Sequence, residues 1–375
     1  MATQPSQVGQ PFETIDMMLN MGPQHPATHG VFRMVLAIDG ERVVDVEPHI
    51  GYLHRGSEKL CEDETYGQVV TLFDRLDYVS NLNNELAFCR AAERLMEVPV
   101  PERAQYIRVI LCELNRVASH LLFAGTYALD IGAMTPVMYT FRERERIQNL
   151  FEAVTGARMM HNFIRIGGVH EDVPEEFAPR IHKLVKELRA GVDETDGLLT
   201  FNEVFLARTR GVGVIDTAGA IDCGLTGPCL RASGHRYDVR KDDPYEIYDR
   251  LDFDVPVGEF GDAWDRYWVR IQECYQSLRI IEQAVAQLPA GPIMAPLRRI
   301  ARPPKGEVYV HCENPRGDLG VFLVSDGTDK PYRVKVRPPS FCNLVGLRRM
   351  MRGAYVADAV AILGSLDIVL GEVDR

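Results

Sequence analysis

The sequence predicts an α+β protein: a central helical bundle flanked by an N-terminal antiparallel β meander and a small C-terminal β-containing region. Three observations predict it. Short alternating apolar runs flank an Asp39-Gly40 turn near the start, helix-spaced apolar residues fill the middle, and short alternating runs return in the last quarter.

Taken in order, VFRMVLAI and RVVDVEPHI on either side of Asp39-Gly40 give a hairpin, with a first strand expected near Thr14–Leu19. Between that strand and the hairpin, NMGPQHPATHG holds two prolines and two glycines, which forbid helix and require an ordered loop. From about Gly56 to Leu288 the period becomes helical. Pro101 opens a helix whose apolar residues run Ile107, Ile110, Leu111, Leu114, Val117, Ala118, Leu121 and Leu122, and whose far end, LFAGTYALDIGAM, is expected to lie in a core with Asp130 inside it. Another helix is expected over Val137–Thr155, ended by Gly156, with its RERER stretch a solvated face of ion pairs. Val173–Arg208 and Ala263–Leu288 read as two more helices, the second placing Trp264 and Trp268 on one face. The strands GEVYVHCE, LGVFLVS and YRVKVRPP follow, then a helix carrying LRRMMRG and a final apolar segment. These readings divide the chain into residues 1–55, a β meander with a histidine loop; 56–290, a helical bundle; and 291–375, an α+β region closing on the bundle.

Composition excludes several classes of function. With 53 acidic and 42 basic residues the formal charge is -11, the wrong sign for a general nucleic-acid surface. MATQPSQVGQPFE has neither a basic n-region nor an apolar h-region, so no secretory signal is expected. AVAILGSLDIVL, the most apolar C-terminal stretch, is cut by Ser365 and Asp367 and falls short of the ~18 continuous apolar residues that span a bilayer. Eight scattered cysteines form no C-x-x-C, which points to reduced, buried thiols and against iron–sulfur or zinc ligation.

Few residues carry chemistry by spacing alone. His25 and His29 are spaced as a zinc pair, but Pro26 between them disfavours the helix face such a pair needs; the loop presents an imidazole to a cavity, or its histidines bond local backbone. GVGVIDTAG lacks the third glycine of a dinucleotide site and reads as a loop. No P-loop, G-x-S-x-G or kinase set occurs. HIGYLHRGSEKL, FDRLDYVSNLNNE and Asp130 each set ionisable groups beside apolar sequence, with Tyr78 following Arg75 and Asp77; taken alone, Tyr78 reads as a core tyrosine.

GPQHPATHG, HIGYLHRGSEKL, FDRLDYVS and the terminal GEVDR closely resemble the D subunit family of the proton-pumping NADH–quinone oxidoreductase, respiratory complex I. The resemblance runs from about Asn20 to Arg375. That family is similar in fold to the large subunit of nickel–iron hydrogenases, which hold their metal with a C-x-x-C near each terminus. The corresponding places here, Arg55-Gly56-Ser57-Glu58 and Asp367-Ile368-Val369-Leu370, contain no cysteine, so no metal site is expected.

The resemblance implies a pocket for a quinone head group as substrate. His29 and Tyr78 would flank the quinone carbonyls as hydrogen-bond donors, and Asp130 would pair with His29. Arg55, Arg75 and His161 would lie near the iron–sulfur cluster of a partner without ligating it, His161 otherwise being a satisfied core histidine. The chain would bind no cofactor of its own, with the cluster, FMN and NADH held by partner subunits. Its partners would be the B subunit, which carries the iron–sulfur cluster, the C subunit and the membrane arm, and its place the cytoplasmic face of the bacterial inner membrane, held peripherally. Rival readings are a hydrogenase-type large subunit, a scaffold that only docks the cluster-bearing partner, and a sister complex fed by ferredoxin or a deazaflavin.

Overall fold

The computed structural model describes residues 17–25, 28, 30–297 and 300–375. The chain is α+β. Strands β1 (Met17–Met21), β2 (Arg33–Asp39) and β3 (Arg42–His49) form an antiparallel meander in which Asp39 pairs with Arg42 across the Gly40-Glu41 turn. The expected first strand is present and runs on to Met21; the residues before Met17 are outside the described ones.

Five helices follow: α1 (Ser57–Asp63), α2 (Tyr66–Phe73), α3 (Asn81–Met96), α4 (Glu102–Asp130) and α5 (Thr135–Thr155). A two-strand ribbon, β4 (Ile164–Arg165) and β5 (Gly168–Val169), precedes α6 (Phe177–Leu199) and α7 (Glu203–Thr209). Short helices α8 (Thr217–Asp222), α9 (Gly227–Ala232) and α10 (Val239–Asp242) lead to α11 (Ala263–Ala286). The antiparallel sheet β6 (Gly306–Asn314), β7 (Gly317–Ser325) and β8 (Arg333–Arg337) comes next, followed by α12 (Pro339–Leu344), α13 (Leu347–Met351), α14 (Ala359–Ser365) and α15 (Leu370–Asp374).

Helix α4 is the axis of the molecule. Its 29 residues extend ~43 Å at the helical rise, and its middle is buried all round between α5, α11 and α3. Leu111, Leu114 and Val117 join Ile271 and Leu278 of α11 and Leu188 of α6 in the main core, which continues into Val321 and Leu323 of β7. A second apolar cluster joins the two ends of the chain: Met34, Leu36 and Val46 of the meander pack with Leu347, Ile362 and Val373. Each fully buried side chain of this kind contributes roughly 1.5–3 kcal/mol.

Four local expectations differ from the fold. The stretch read as one helix over residues 173–208 is two, because the chain breaks after Thr200 and the Asn202 side chain restarts it by accepting the N–H groups of Val204 and Phe205 at 3.0 and 3.1 Å. The RERER stretch is not wholly solvated. Glu143 turns inward against Gly191 and is buried, with Arg142 and Arg146 reaching over it. Helix α4 ends at Asp130, so this carboxyl sits half-buried at a helix end while Leu129 and Met134 are exposed. The β4–β5 ribbon has only two residues per strand, too few for an alternating pattern to register. No helix among the described residues is long and apolar enough to cross a membrane.

Candidate functional site

Tyr78 lies in the turn between α2 and α3 and is half-buried. The turn is held from beneath by buried polar groups. Asn84 donates to the carbonyls of Phe73 and Asp77, both at 3.2 Å, and its own carbonyl accepts from Asn314 at 3.1 Å. The Asp77 carboxylate accepts Val79 N–H at 3.2 Å and Arg316 Nη1 at 2.8 Å.

Arg316, fully buried at the β6–β7 turn, is the hub of this region. It donates to Ser119 of α4 at 3.0 Å, to the Asp367 carbonyl at 3.0 Å and to the Asp367 carboxylate at 3.2 Å. Asp367 takes a left-handed φ of 55°, a conformation aspartate tolerates, and its carboxylate also faces Arg270 at 3.7 Å. A buried guanidinium between two carboxylates thus fixes the C-terminal segment to the Tyr78 turn. Burial, and then the Asp77 charge, push the Tyr78 phenol above its ordinary range, so the hydroxyl stays protonated and can donate.

The C-terminal segment also makes the close approach that places the ring. A Cβ on Gly371 would stand 2.5 Å from the Leu76 carbonyl and 3.1 Å from Tyr78 Cδ1, so only glycine lets α15 pack here. One residue earlier, Leu370 meets the histidine loop: a Cβ on Gly30 would lie 3.3 Å from Leu370 Cδ1. In that loop Thr28 is buried and bonds the His25 carbonyl through N–H at 3.1 Å and Oγ1 at 2.8 Å, and His25 bridges to Gly30. His29 lies outside the described residues. Asp130 is the last residue of α4. One turn before it, the Tyr127 hydroxyl donates to the Ala361 carbonyl of α14 at 3.1 Å, and past the end of α14 at Ser365 the chain continues through Asp367 to Leu370. From Ser119, which touches Arg316, Asp130 is eleven residues or ~16 Å further along α4. Gly30 and the Tyr78 turn therefore abut Leu370 and Gly371, while Tyr127, one turn before the end of α4, abuts Ala361 of α14.

Arg55 and Arg75 share one exposed patch beside this turn, Arg55 donating to the Arg75 carbonyl at 2.5 Å and Arg75 to the Thr71 carbonyl at 2.6 Å. His161 is buried between Met160 and Asn162, both at left-handed φ. Its Nδ1 is 3.1 Å from the Ala157 carbonyl, which can only accept, so Nδ1 carries the hydrogen; its ring meets Phe151 edge-on at 4.7 Å. Burial pushes the imidazole down to about 4, so it is neutral at pH 7. The stretches Arg55–Glu58 and Asp367–Leu370, far apart in sequence, are joined through the chain end: Ser57 N–H bonds the Arg375 carbonyl at 3.0 Å, and Asp374 accepts Gly51 and Leu53 N–H at 2.8 and 2.7 Å. A cleft of about 370 Å³ beside that junction is lined by His54, Glu58, Arg333, Asp374 and Arg375; Tyr78 is not part of its wall. Among the described residues no group of three or more His, Cys, Asp or Glu is arranged to hold a metal ion.

Sequence reasoning found Tyr78 and the C-terminal string but missed the buried groups that hold them. Asp77 and Asp367 lie inside or beside quoted strings, whereas Arg316, in ENPRGDLG, carries no local signal of being buried.

Comparison with known proteins follows this geometry. Residues 130–304 and 297–375 match the family described as "Respiratory-chain NADH dehydrogenase, 49 Kd subunit". The NADH-quinone oxidoreductase D subunit of Dehalococcoides mccartyi is 53% identical over 364 residues, covering 97% of this chain and 99% of that protein. The D subunit of Desulforamulus reducens is 52% identical over 362 residues, and that of Bacillus mycoides 50% over 362, each covering 96% of this chain and 99% of the relative. With near-complete coverage at this identity, the chain belongs to the family of the 49 Kd subunit of respiratory-chain NADH dehydrogenase.

Proposed function

We propose that this chain is the quinone-binding subunit of a multisubunit NADH–quinone oxidoreductase, and that Tyr78 and His29 flank the quinone carbonyls. Reducing a quinone to a quinol takes two electrons and two protons, and each developing oxyanion needs a donor aimed at it. A phenol held protonated suits the positioning role, and an imidazole gives a proton near neutral pH. Asp130 pairs with His29, orients it and favours its charged form; release of the His29 proton alters the charge balance at the end of α4, which packs on α14 and is placed to pass a change onward to the proton-translocating arm.

Electrons come from the iron–sulfur cluster of the B subunit, facing Arg55, Arg75 and His161. The two arginines would raise the cluster's potential by their charge; neutral His161 would present a polar ring without adding charge. The C subunit and the membrane arm complete the assembly, which holds the chain peripherally at the cytoplasmic face of the bacterial inner membrane. NADH and FMN belong to partner subunits.

The observation that carries this reading is the packing of Gly30 of the histidine loop against Leu370 and of Tyr78 against the adjacent Gly371, with Tyr127 of α4 bonded to Ala361 earlier in the same C-terminal stretch. The test is NADH-driven quinone reduction in membranes carrying Tyr78→Phe, beside an artificial acceptor that draws electrons before the quinone. A loss of ten-fold or more in quinone reduction, with the artificial acceptor and assembly intact, is expected. Unchanged quinone reduction would return Tyr78 to a core role and favour a docking scaffold.

A further inference from the structure

Beneath the Arg75–Tyr78 turn two carboxyl groups face each other, and among the described residues no cation is in contact with either. Asp74, the residue after α2, is 1% exposed, and neither of its carboxylate oxygens meets an N–H or O–H donor from another side chain. Glu85 of α3 is fully buried; its Oε2 accepts Phe163 and Ile164 N–H at 2.9 and 2.7 Å, while its Oε1 has no donor. The two side chains are within hydrogen-bond reach of each other. Arg75 and Arg165 act on Asp74 only through space, and the other titratable groups facing the pair are the thiols Cys89 and Cys112, both neutral in their buried sites.

Two ionised carboxylates cannot persist in contact in a site closed to water. A single proton resolves both deficits at once. Placed on Glu85 Oε1, it turns an oxygen without a donor into a donor and gives Asp74 a side-chain donor beside the Asn162 backbone. We propose that Asp74 and Glu85 form a proton-binding clasp, Glu85–COOH donating to Asp74–COO⁻, which positions the Arg75–Tyr78 turn against the strand that follows His161. One end of the clasp is the residue preceding Arg75; the other holds the backbone of Phe163 and Ile164, two and three residues past His161. Asp74 and Glu85 touch no substrate in this reading. They are positioning residues, and their link to quinone chemistry rests on the role proposed above for Tyr78.

The sign of the pH dependence follows from burial, which raises both carboxyls above their usual range, Glu85 further through its hydrogen bond to Asp74. A raised folded-state value means that the proton-bound form stabilises the fold at and below the ordinary carboxylate range, and that this contribution fades as pH rises through the raised value. Loss of the proton to solvent leaves like charges in contact and pushes the Asp74–Ser80 turn away from α3.

The experiment is hydrogen–deuterium exchange on the assembled complex, wild type beside Glu85→Gln and Asp74→Asn, at a series of pH values from neutral upward. Either amide supplies a fixed N–H in place of the shared O–H. The protection of residues 74–80, normalised to α4, is expected to fall several-fold with rising pH in the wild type and to hold in both variants. An equal fall in the variants, or no fall in the wild type, overturns the clasp; should one variant fail to assemble, the other carries the test. Quinone reduction relative to the artificial acceptor, read on the same samples, separates the two claims. If protection behaves as expected while that ratio does not follow it, the clasp stands and the placement of Tyr78 at the quinone fails.

Discussion

Two buried polar regions of this molecule solve the same physical problem in opposite ways. Along the inner faces of α4 and α11, carboxylates are met by guanidinium groups. Glu113 receives Arg116 at 3.2 Å and Arg240 at 3.1 Å, Asp238 receives Arg240 at 2.7 Å, and Glu273 receives Arg231 at 2.6 Å with His120 at 2.9 Å. Burial opposes ionisation of Glu113, yet Arg116 and Arg240 prevail and hold it down at about 2. Around Asp74 and Glu85, a short way along α3, carboxyl meets carboxyl and burial prevails. Even the seam is not perfectly balanced. Glu313, a fourth carboxyl for three guanidiniums, is pushed up by burial to about 7 although Arg231 lies 2.9 Å away. The difference teaches that burial alone does not decide a charge here; the balance of guanidinium groups to the carboxyls that share them does. The seam fixes the fold, and burial holds toward the protonated form the carboxyls that are short of cations, Glu313 within the seam and Asp74 and Glu85 beneath the Tyr78 turn.

The most severe break is made in the seam. Arg231→Leu strands Glu273 and Glu313 in the core with their principal cation gone, which costs about 3–5 kcal/mol. The expected outcome is little chain recovered in assembled complex, with membranes losing the artificial-acceptor activity as well as quinone reduction. A variant that assembled normally would show that Arg231 is not what holds α9 and β6 to α11. Asp77→Asn acts at the other region and is gentler. It keeps the shape and removes one of two carboxylates on Arg316, the second being Asp367 at 3.2 Å, for a cost of about 1.5–3 kcal/mol. Assembly is expected to survive with a lowered thermal midpoint of the subunit, while quinone reduction falls more than artificial-acceptor reduction because the Tyr78 turn loosens. Equal losses in both activities would make Asp77 part of the structural seam and erase the contrast.

How much of this was legible in the sequence follows from the range of the forces involved. The meander, α4, α11 and the last three strands were readable because their periods are local: alternation around Asp39-Gly40, or apolar residues three and four apart from Ile107 to Leu122. The break at Thr200 was not, because Asn202 caps α7 only once the chain has already turned and the apolar helical spacing continues on both sides of it. The buried arginines were least legible. Arg108, Arg116, Arg231, Arg240, Arg266, Arg270 and Arg316 are all buried, and composition assigns every one of them to the surface. Their partners lie up to 239 residues away, as with Arg316 and Asp77, and no window of sequence connects them. The candidate residues Tyr78, Arg55, Arg75, His161, Asp130 and His29 came from the resemblance of the strings around them; spacing alone left Tyr78 a core residue.

The smallest expected effect sharpens the contrast from outside. Arg158 is a guanidinium with as many partners as those of the seam, reaching Glu145, Glu152, Asn149 and Gln148 around the end of α5. It stands in solvent, where water already screens both charges and the ordering of a long side chain offsets most of what the pairs gain. Arg158→Ala is therefore expected to leave the thermal midpoint of the assembled complex and both activities indistinguishable from wild type. His161, three residues on, makes this a demanding comparison, since its ring is held by Thr155 and Ala157, immediately before Arg158. If the variant lost quinone reduction while keeping artificial-acceptor activity, the surface pairs would be transmitting to the His161 strand. Counting contacts would then describe this end of the molecule better than burial does.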